Sequence, residues 1–381
     1  MKYRALGNTG LQVSEIGLGA EWMERLDQDT CTAIIRAAQD RGINILDCWM
    51  AEPGVRTRIG NALAGHREKW ILQGHIGSTW QDGQYVKTRD AEKCRVAFQD
   101  LLDRMQTDYI DLGMIHYVDS VKEFEELLQS PYMDYVRQLK EKGIIRHVGM
   151  GSHNPAAAKA AVLSGEIEML MFSVNPAFDL KPSNDVLNEL FKEEYDQALR
   201  GMNPERAELY ALCEERGIGI TVMKGYAAGR LLDAAASPFK VALTPVQCLH
   251  YALTRPAVCS VLVGYTQPEQ VEEAVRYETA SEEEKAYAPV LAAAPMHAFS
   301  GRCMYCNHCK PCPMDIDIAM VNKLYDLAVM QPQVPASVKA HYLELEKTAS
   351  DCIGCGGCEQ RCPFGVPVIS RMALAKELFQ Q

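Results

Sequence analysis

The sequence predicts an α/β chain: a TIM-type (β/α)8 barrel followed by a small all-helical domain. Three observations lead there. Eight short β-branched runs alternate with amphipathic segments between residues 13 and 280, the pattern of a parallel sheet. No G-x-G-x-x-G follows the first run, which disfavours the open doubly wound sheet, the other fold built from such alternation. Near residue 295 the alternation stops, and two dense cysteine runs follow.

The predicted strands are Val13–Leu18, Ile43–Leu46, Trp70–Leu72, Tyr109–Ile115, Ile144–Val148, Met169–Val174, Ile218–Met223 and Val258–Val263. Between them lie helical patterns at Thr30–Arg41, Arg89–Met105, Val121–Lys142, Asn154–Ser164, Pro204–Arg216, Pro245–Thr254 and Pro268–Tyr277. Asn154-Pro155 and Asn203-Pro204 each combine an N-cap side chain with proline at the first helical position. Gly42, Gly143 and Gly217 each close a helical run with the residue best suited to a left-handed cap. Phe178–Asn203 is too long for a simple link; charged, and helical over Val186–Leu199, it is a candidate lid on the barrel mouth. Ser281–Pro295, acidic and then rich in Ala and Pro, leads out of the barrel. Ile316–Met330 and Val338–Lys347 read as helices between the cysteine runs, so the barrel is placed at 1–294 and the helical domain at 295–381.

The first run reads Cys303-Met-Tyr-Cys306-Asn-His-Cys309-Lys-Pro-Cys312-Pro313; the second reads Cys352-Ile-Gly-Cys355-Gly-Gly-Cys358-Glu-Gln-Arg-Cys362-Pro363. Three cysteines at two-residue gaps, then a fourth before proline, is the ferredoxin-type run for a [4Fe–4S] cluster. A tight loop wraps three thiolates around one face of the cubane, and the fourth comes from elsewhere. With the fourth cysteine of each run serving the other cluster, Cys303, Cys306, Cys309 and Cys362 hold one cluster and Cys352, Cys355, Cys358 and Cys312 the second. Structural zinc would use two separated Cys pairs and leave the third cysteine of each run without a role. The first run has two residues before its fourth cysteine where the second has three.

Composition sets bounds on partners. Hydrophobic residues make up 48% of 381, enough for a large core. A net charge of −11 excludes nucleic acid and anionic membrane as default partners. The first residues contain no apolar stretch of a secretion signal and no run reaches transmembrane length. Fourteen cysteines without an export signal lead us to expect a reducing, cytoplasmic location.

The barrel part resembles the aldo-keto reductases over nearly its whole length. The residues that carry the resemblance are Arg4–Ser14, Gly42–Asp47, Ile59–Leu63, Asp108–Leu112, His116, Gly143–Gly149 and Val263-Gly264-Tyr265, and the cysteine runs resemble the helical ferredoxin module of one branch. The resemblance implies an active site at the C-terminal strand ends, where that family uses Asp, Tyr, Lys and His for hydride transfer. Asp47 matches the aspartate and His116 the histidine. The tyrosine position falls on Glu52 and the lysine position on His75.

Glu52 reads as a general acid if burial raises its pKa, with His75 and His116 shaping the site; two imidazoles beside two carboxylates also read as a divalent-metal set. The loop Lys224–Leu232, with Lys224, Tyr226, Gly229 and Arg230, resembles the family's dinucleotide-wrapping loop. Gly264, Tyr265, Thr266 and Gln270 open a helix whose amides suit a phosphate. Met171, Gln270 and Ala274 depart from the family's nicotinamide and adenine contacts, which argues against 2′-phosphate binding, and a flavin phosphate suits the same site; the nucleotide expected is NAD(P) or a flavin.

The favoured function is an iron–sulfur oxidoreductase acting on a small carbonyl-type substrate, with two [4Fe–4S] clusters relaying electrons to or from a redox partner protein. Two other classes stand beside it. One is acid–base or metal-assisted chemistry, such as dehydration or isomerisation, with structural clusters. The other is an electron-transfer subunit with a non-catalytic barrel.

Overall fold

The computed structural model describes residues 1–179, 202–292, 301, 303, 305, 307, 309–329 and 333–380. Eight parallel strands form a closed barrel: β1 (Ile16–Gly19), β2 (Ile45–Cys48), β3 (Ile71–Ile76), β4 (Ile110–Ile115), β5 (Ile145–Ser152), β6 (Met169–Ser173), β7 (Gly219–Met223) and β8 (Val258–Gly264). Each pairs with the next in sequence, and β8 returns to β1 with Val261 opposite Ile16 and Gly264 opposite Gly19.

The first predicted strand is in fact two elements. Gln12–Ser14 pairs antiparallel with Tyr3–Ala5, and the barrel strand starts only at Ile16. The break is at Glu15, whose carboxylate binds Arg4 (2.6 Å); Arg4 also donates to the carbonyls of Leu253 and Val258, so the hairpin lies across the strands' N-terminal ends.

The surrounding helices are α1 (Gln28–Asp40), α2 (Pro53–Leu63), α3 (Ala91–Met105), α4 (Pro131–Glu141), α5 (Pro155–Ser164), α6 (Pro204–Arg216), α7 (Pro245–Leu253) and α8 (Glu269–Val275). The predicted helix over Val121–Lys142 is broken at Ser130-Pro131, because proline cannot continue it and Ser130 instead caps α4 through the Met133 N–H. Asn154 and Asn203 cap α5 and α6 as expected, and Gly42, Gly143 and Gly217 all have left-handed backbones. Helix α2 and a hairpin pairing Ser78–Gln81 with Gln84–Lys87 were not expected.

Two apolar shells result. Leu112, Met114, Met169, Met171 and Leu262 fill the barrel interior, and a larger shell joins strands to helices. Gly149 belongs to this packing: a β-carbon there would lie 2.3 Å from the Met169 sulfur and 2.5 Å from that of Met114.

In the tail, α9 (Ile318–Val329), α10 (Ala336–Leu343) and α11 (Val368–Phe379) pack together, with the Tyr342 and Phe379 rings stacked at 3.9 Å. Helix α11 was not expected. Lys323 of α9 pairs with Glu214 near the C-terminal end of α6 (3.0 Å). The Arg255 guanidinium, just past α7, lies over the Tyr305 ring of the first cysteine loop at 5.9 Å. Those helix ends run into β7 and β8, so the tail packs on the outer helical ring toward the strands' N-terminal ends. The expected boundary at 294/295, the proposed lid helix Val186–Leu199 and Cys306 lie outside the described residues. Among the described residues, no helix is long and apolar enough to cross a membrane.

A buried ionic knot ties β6 to the helices. Asp179 accepts from Arg206 (2.8 Å), Tyr210 (2.6 Å) and Tyr251 (2.7 Å), and Arg206 also donates to the Ser173 carbonyl. Asp179→Ala leaves a buried guanidinium without its carboxylate, which should cost about 3–5 kcal/mol. A denaturant midpoint corresponding to less than about 1 kcal/mol of loss would contradict that role.

Candidate active site

A cavity of about 710 Å³ opens at the C-terminal ends of the strands. Strand polarity alone explains its chemistry, since parallel strands end together on one face and their last residues share it. Asp47 sits one residue from the end of β2, opposite Gln73; His75 lies on β3 opposite Met114, and His116 directly follows β4.

These three form one hydrogen-bonded chain. His75 Nε2 lies 2.9 Å from Asp47 Oδ1, and His75 Nδ1 lies 3.0 Å from His116 Nδ1. Gln73 donates to the same Asp47 oxygen (3.0 Å). All three chain members are buried. The carboxylate accepts, so His75 donates from Nε2; with both rings neutral, His116 then donates from Nδ1 to His75. That leaves the Nε2 lone pair of His116 available to the cavity.

Burial pushes the His116 pKa well below the usual imidazole value, and the neighbouring His75 pushes the same way, so His116 is neutral at neutral pH. Trp49 stacks on its ring at 6.0 Å and Tyr117 meets it edge-on at 4.8 Å. The imidazole nitrogens face each other and Asp47 in sequence, with no common point between them. Among the described residues, no three His, Cys, Asp or Glu side chains are placed to hold a metal ion. The geometry is that of a proton chain.

Glu52 stands apart from this group. Its two oxygens accept from the N–H groups of Gly54 (2.7 Å) and Val55 (2.6 Å), which makes it the N-cap of α2, and Arg58 lies 3.9 Å away. It does not line the cavity. The signal was present in the sequence: an acidic residue directly before Pro53 is the same cap-plus-proline signature as Asn154-Pro155.

A second chain reaches the same cavity; Lys224 was expected there as a cofactor-binding residue, whereas His153 and Asp119 were not anticipated. His153, just past β5, holds Asp119 through Nδ1 (3.0 Å), and Lys224, just past β7, lies 2.8 Å from its Nε2. Burial drives His153 down to about 4, with the Lys224 charge adding to it. The rule that found His116, a polar residue one step beyond a strand, applies equally to His153; there the Asn154 cap signal obscured it.

The cavity extends between the loops after β7 and β8, along Tyr226, Gly229, Gly264, Tyr265, Thr266 and Gln270. A β-carbon on Gly264 would meet the Trp22 ring at 2.4 Å, so glycine is needed where that indole closes over the groove. The hydroxyls of Tyr226 and Tyr265 are buried without a hydrogen-bond partner among the described residues, which fits a ligand bearing polar atoms. The Thr266 N–H is already taken by the Gln270 side-chain oxygen (2.7 Å). Arg230 does not line the groove; its Nε donates to the Ala236 carbonyl (3.3 Å).

In the tail, Cys312, Cys352, Cys355 and Cys358 line one small cavity with apolar walls, and Cys303, Cys309 and Cys362 line another. Ile318 and Val368 belong to both walls. The two loops wind alike: Tyr305 and Asn307 have left-handed backbones, as do Gly354 and Gly356 at the same offsets from their first cysteines. A cluster needs four thiolates, one to each iron, and the first of these cavities has four cysteines in its lining. The Val366 N–H points at Cys362 Sγ (3.4 Å), a donor suited to a cluster-bound thiolate.

Residues 15–241 match the aldo/keto reductase family. The chain belongs to that family. Residues 302–367 match a 4Fe-4S dicluster domain, so this aldo/keto reductase is an oxidoreductase that carries an iron–sulfur module. An uncharacterized oxidoreductase of Bacillus subtilis (strain 168), YqkF, is 27% identical over 297 residues, 72% of this chain and 90% of that protein. The NADH-specific methylglyoxal reductase of Escherichia coli (strain K12) is 23% identical over 318 residues, 72% of this chain and 93% of that one. The holo form of aldo-keto reductase AKR11C1 from Bacillus halodurans shares the fold, with a TM-score of 0.60 at 24% identity, over 76% of this chain and 96% of that one. The barrel and family implied by the sequence resemblance are thus the observed ones.

Two expectations follow. His116 and His153 are buried neutral, so below a pH of about 6.5 the unfolded chain binds protons that the folded one refuses. Stability should fall as pH drops from about 6.5 toward 4, and His153→Gln should flatten the urea-midpoint slope over that window. A slope unchanged by the substitution would contradict the assignment. The anaerobically prepared protein should hold about eight iron and eight sulfide, and Cys355→Ser about half of that; stoichiometric zinc in place of iron would refute it.

Proposed function

We propose that the barrel interconverts a carbonyl and an alcohol on a small organic substrate, with the Asp47–His75–His116 chain as its proton relay. The observation that carries this reading is the unbroken hydrogen-bonded chain from a buried carboxylate to an imidazole on the cavity wall. A nicotinamide or flavin nucleotide in the groove between the β7 and β8 loops supplies or takes the hydride when bound.

In the oxidising direction, His116 Nε2 takes the substrate hydroxyl proton while its Nδ1 proton passes to His75. The resulting charge rests on His75, beside Asp47, and leaves the apolar cavity wall uncharged. Reduction runs the same path in reverse, with His116 donating to the developing alkoxide. The relay does the work that tyrosine does in the family pattern, and Glu52 has no part in it.

The groove favours a nucleotide without a 2′-phosphate. Glu21 and Glu273 line it, and Lys224 is the only Lys or Arg among its described walls. The E. coli relative named as NADH-specific accords with this choice.

The clusters form a one-electron module that relays electrons to and from a redox partner. Cys355 is exposed, and among the described residues Ile318 and Val368 alone border both cluster cavities. A second reading makes the clusters purely structural, and the tail's position away from the cavity favours it. Anaerobic assays separate the two: a relay predicts that Cys355→Ser loses reduction by viologen dyes, whereas a structural role predicts a lower melting temperature and no cluster-dependent electron uptake in the wild type.

For the barrel, His116→Gln should lower turnover roughly 10²-fold or more while nucleotide binding persists. Glu52→Gln should keep turnover and lose about 1 kcal/mol of stability as a weakened cap. Wild-type turnover in His116→Gln, or its loss in Glu52→Gln, would reverse the assignment.

A further inference from the structure

Lys224 is built into the cavity at some conformational cost. Its backbone is left-handed (φ +58°), a region L-residues occupy rarely, and Ala227 and Ala228 nearby share that conformation. The Asn175 side chain holds its carbonyl (2.9 Å). Its ammonium makes no ion pair among the described residues: it meets the neutral His153 Nε2 at 2.8 Å and the Met223 sulfur at 3.8 Å. Two carboxylates act on it without an ion-pair contact among the described residues: Glu21 on the cavity wall, and Asp119, which is occupied by the His153 ring and backbone N–H. A partly desolvated cation with no anionic contact, facing a ligand cavity, is the chemistry of an anion site.

Its direction decides which anion. The ammonium does not turn toward the β8 loop, where a nucleotide phosphate would lie. It points across the mouth to His153, and the Tyr117 ring lies between His153 (5.7 Å) and His116 (4.8 Å). The cation and the relay imidazole therefore flank one aromatic wall of the same cavity.

We propose that Lys224, steadied by the Asp119–His153 pair, binds the carboxylate of the substrate, and that the substrate is a short carboxylic acid of the 2-oxo or 2-hydroxy class. This rests on the carbonyl–alcohol reading for its reacting group, while the anion site stands on its own geometry. His153 acts as a positioning residue: its Asp119-bound tautomer presents a lone pair to Lys224, which fixes the ammonium without neutralising it.

The test is titration calorimetry on the anaerobic holoprotein with pyruvate, 2-oxobutyrate and 2-oxoglutarate, each against its neutral amide at the 1-carboxyl. At least one acid should bind 10-fold or more tightly than its amide. Lys224→Met should abolish that preference by weakening the acid alone, and Lys224→Arg should restore part of it, with cluster absorbance and melting temperature as folding controls. His116→Gln should keep the preference while losing turnover, so failure of the relay and failure of the anion site give different results. No acid–amide preference in the wild type overturns the proposal. So does a Lys224→Met variant that keeps the preference and instead loses affinity for ADP-ribose, since the anion would then be the nucleotide's.

Discussion

Closure of eight parallel strands is the constraint on which the rest of this molecule depends. When Val261 pairs with Ile16, the sheet has no edge, and its backbone groups are satisfied around a complete ring. Closure also fixes a common height for the strand ends. Asp47, His75, His116, His153 and Lys224 are distant in sequence and come from five different strand exits, yet they meet around one cavity. The hydrogen-bonded partners among them are 28, 41 and 71 residues apart, and no local propensity could bring them together.

The same constraint explains what could be read from the sequence. The barrel strands are apolar runs closed by glycine or helix-cap signals, so their number and order were legible. The errors came where a side chain outweighed the pattern: Glu15 divides the first run by binding Arg4, and Pro131 divides a long amphipathic stretch. Helix α2 was hidden because Gly54, Arg56 and Arg58 interrupt its apolar face, although buried Arg56 in fact reaches the Met50 and Ala97 carbonyls. Asp47, His75 and His116 were legible because each falls at a strand end. Glu52 misled because position within a family pattern and local capping chemistry competed for the same residue, and capping won with two backbone N–H bonds.

The cysteine loops show how different residues meet one backbone demand. The second run uses Gly354 and Gly356 where the chain turns left-handed; the first uses Tyr305 and Asn307. Asparagine tolerates that region, but tyrosine does so only when its surroundings hold it. Here the Tyr305 hydroxyl donates to Asp326 (2.9 Å), Asp326 binds Arg371 of α11, and Arg255 covers the ring. The first loop is thus fastened to both the barrel and the tail helices, whereas the second, with Ile353 and Cys355 exposed, faces solvent.

That asymmetry bears on how the two redox modules communicate. The cavity opens at one end of the strands and the first cysteine loop is anchored toward the other. Strands of four to eight residues at about 3.3 Å each set that separation at roughly 13–26 Å. Clusters pass single electrons, whereas a carbonyl needs two electrons and a proton delivered together. The proposed proton relay, the Asp47–His75–His116 chain, lies at the cavity and does not reach the tail. As proposed, the barrel completes its chemistry with a nucleotide of its own while the iron–sulfur module faces outward through Cys355, which satisfies both requirements without routing charge through the packed methionine and leucine interior.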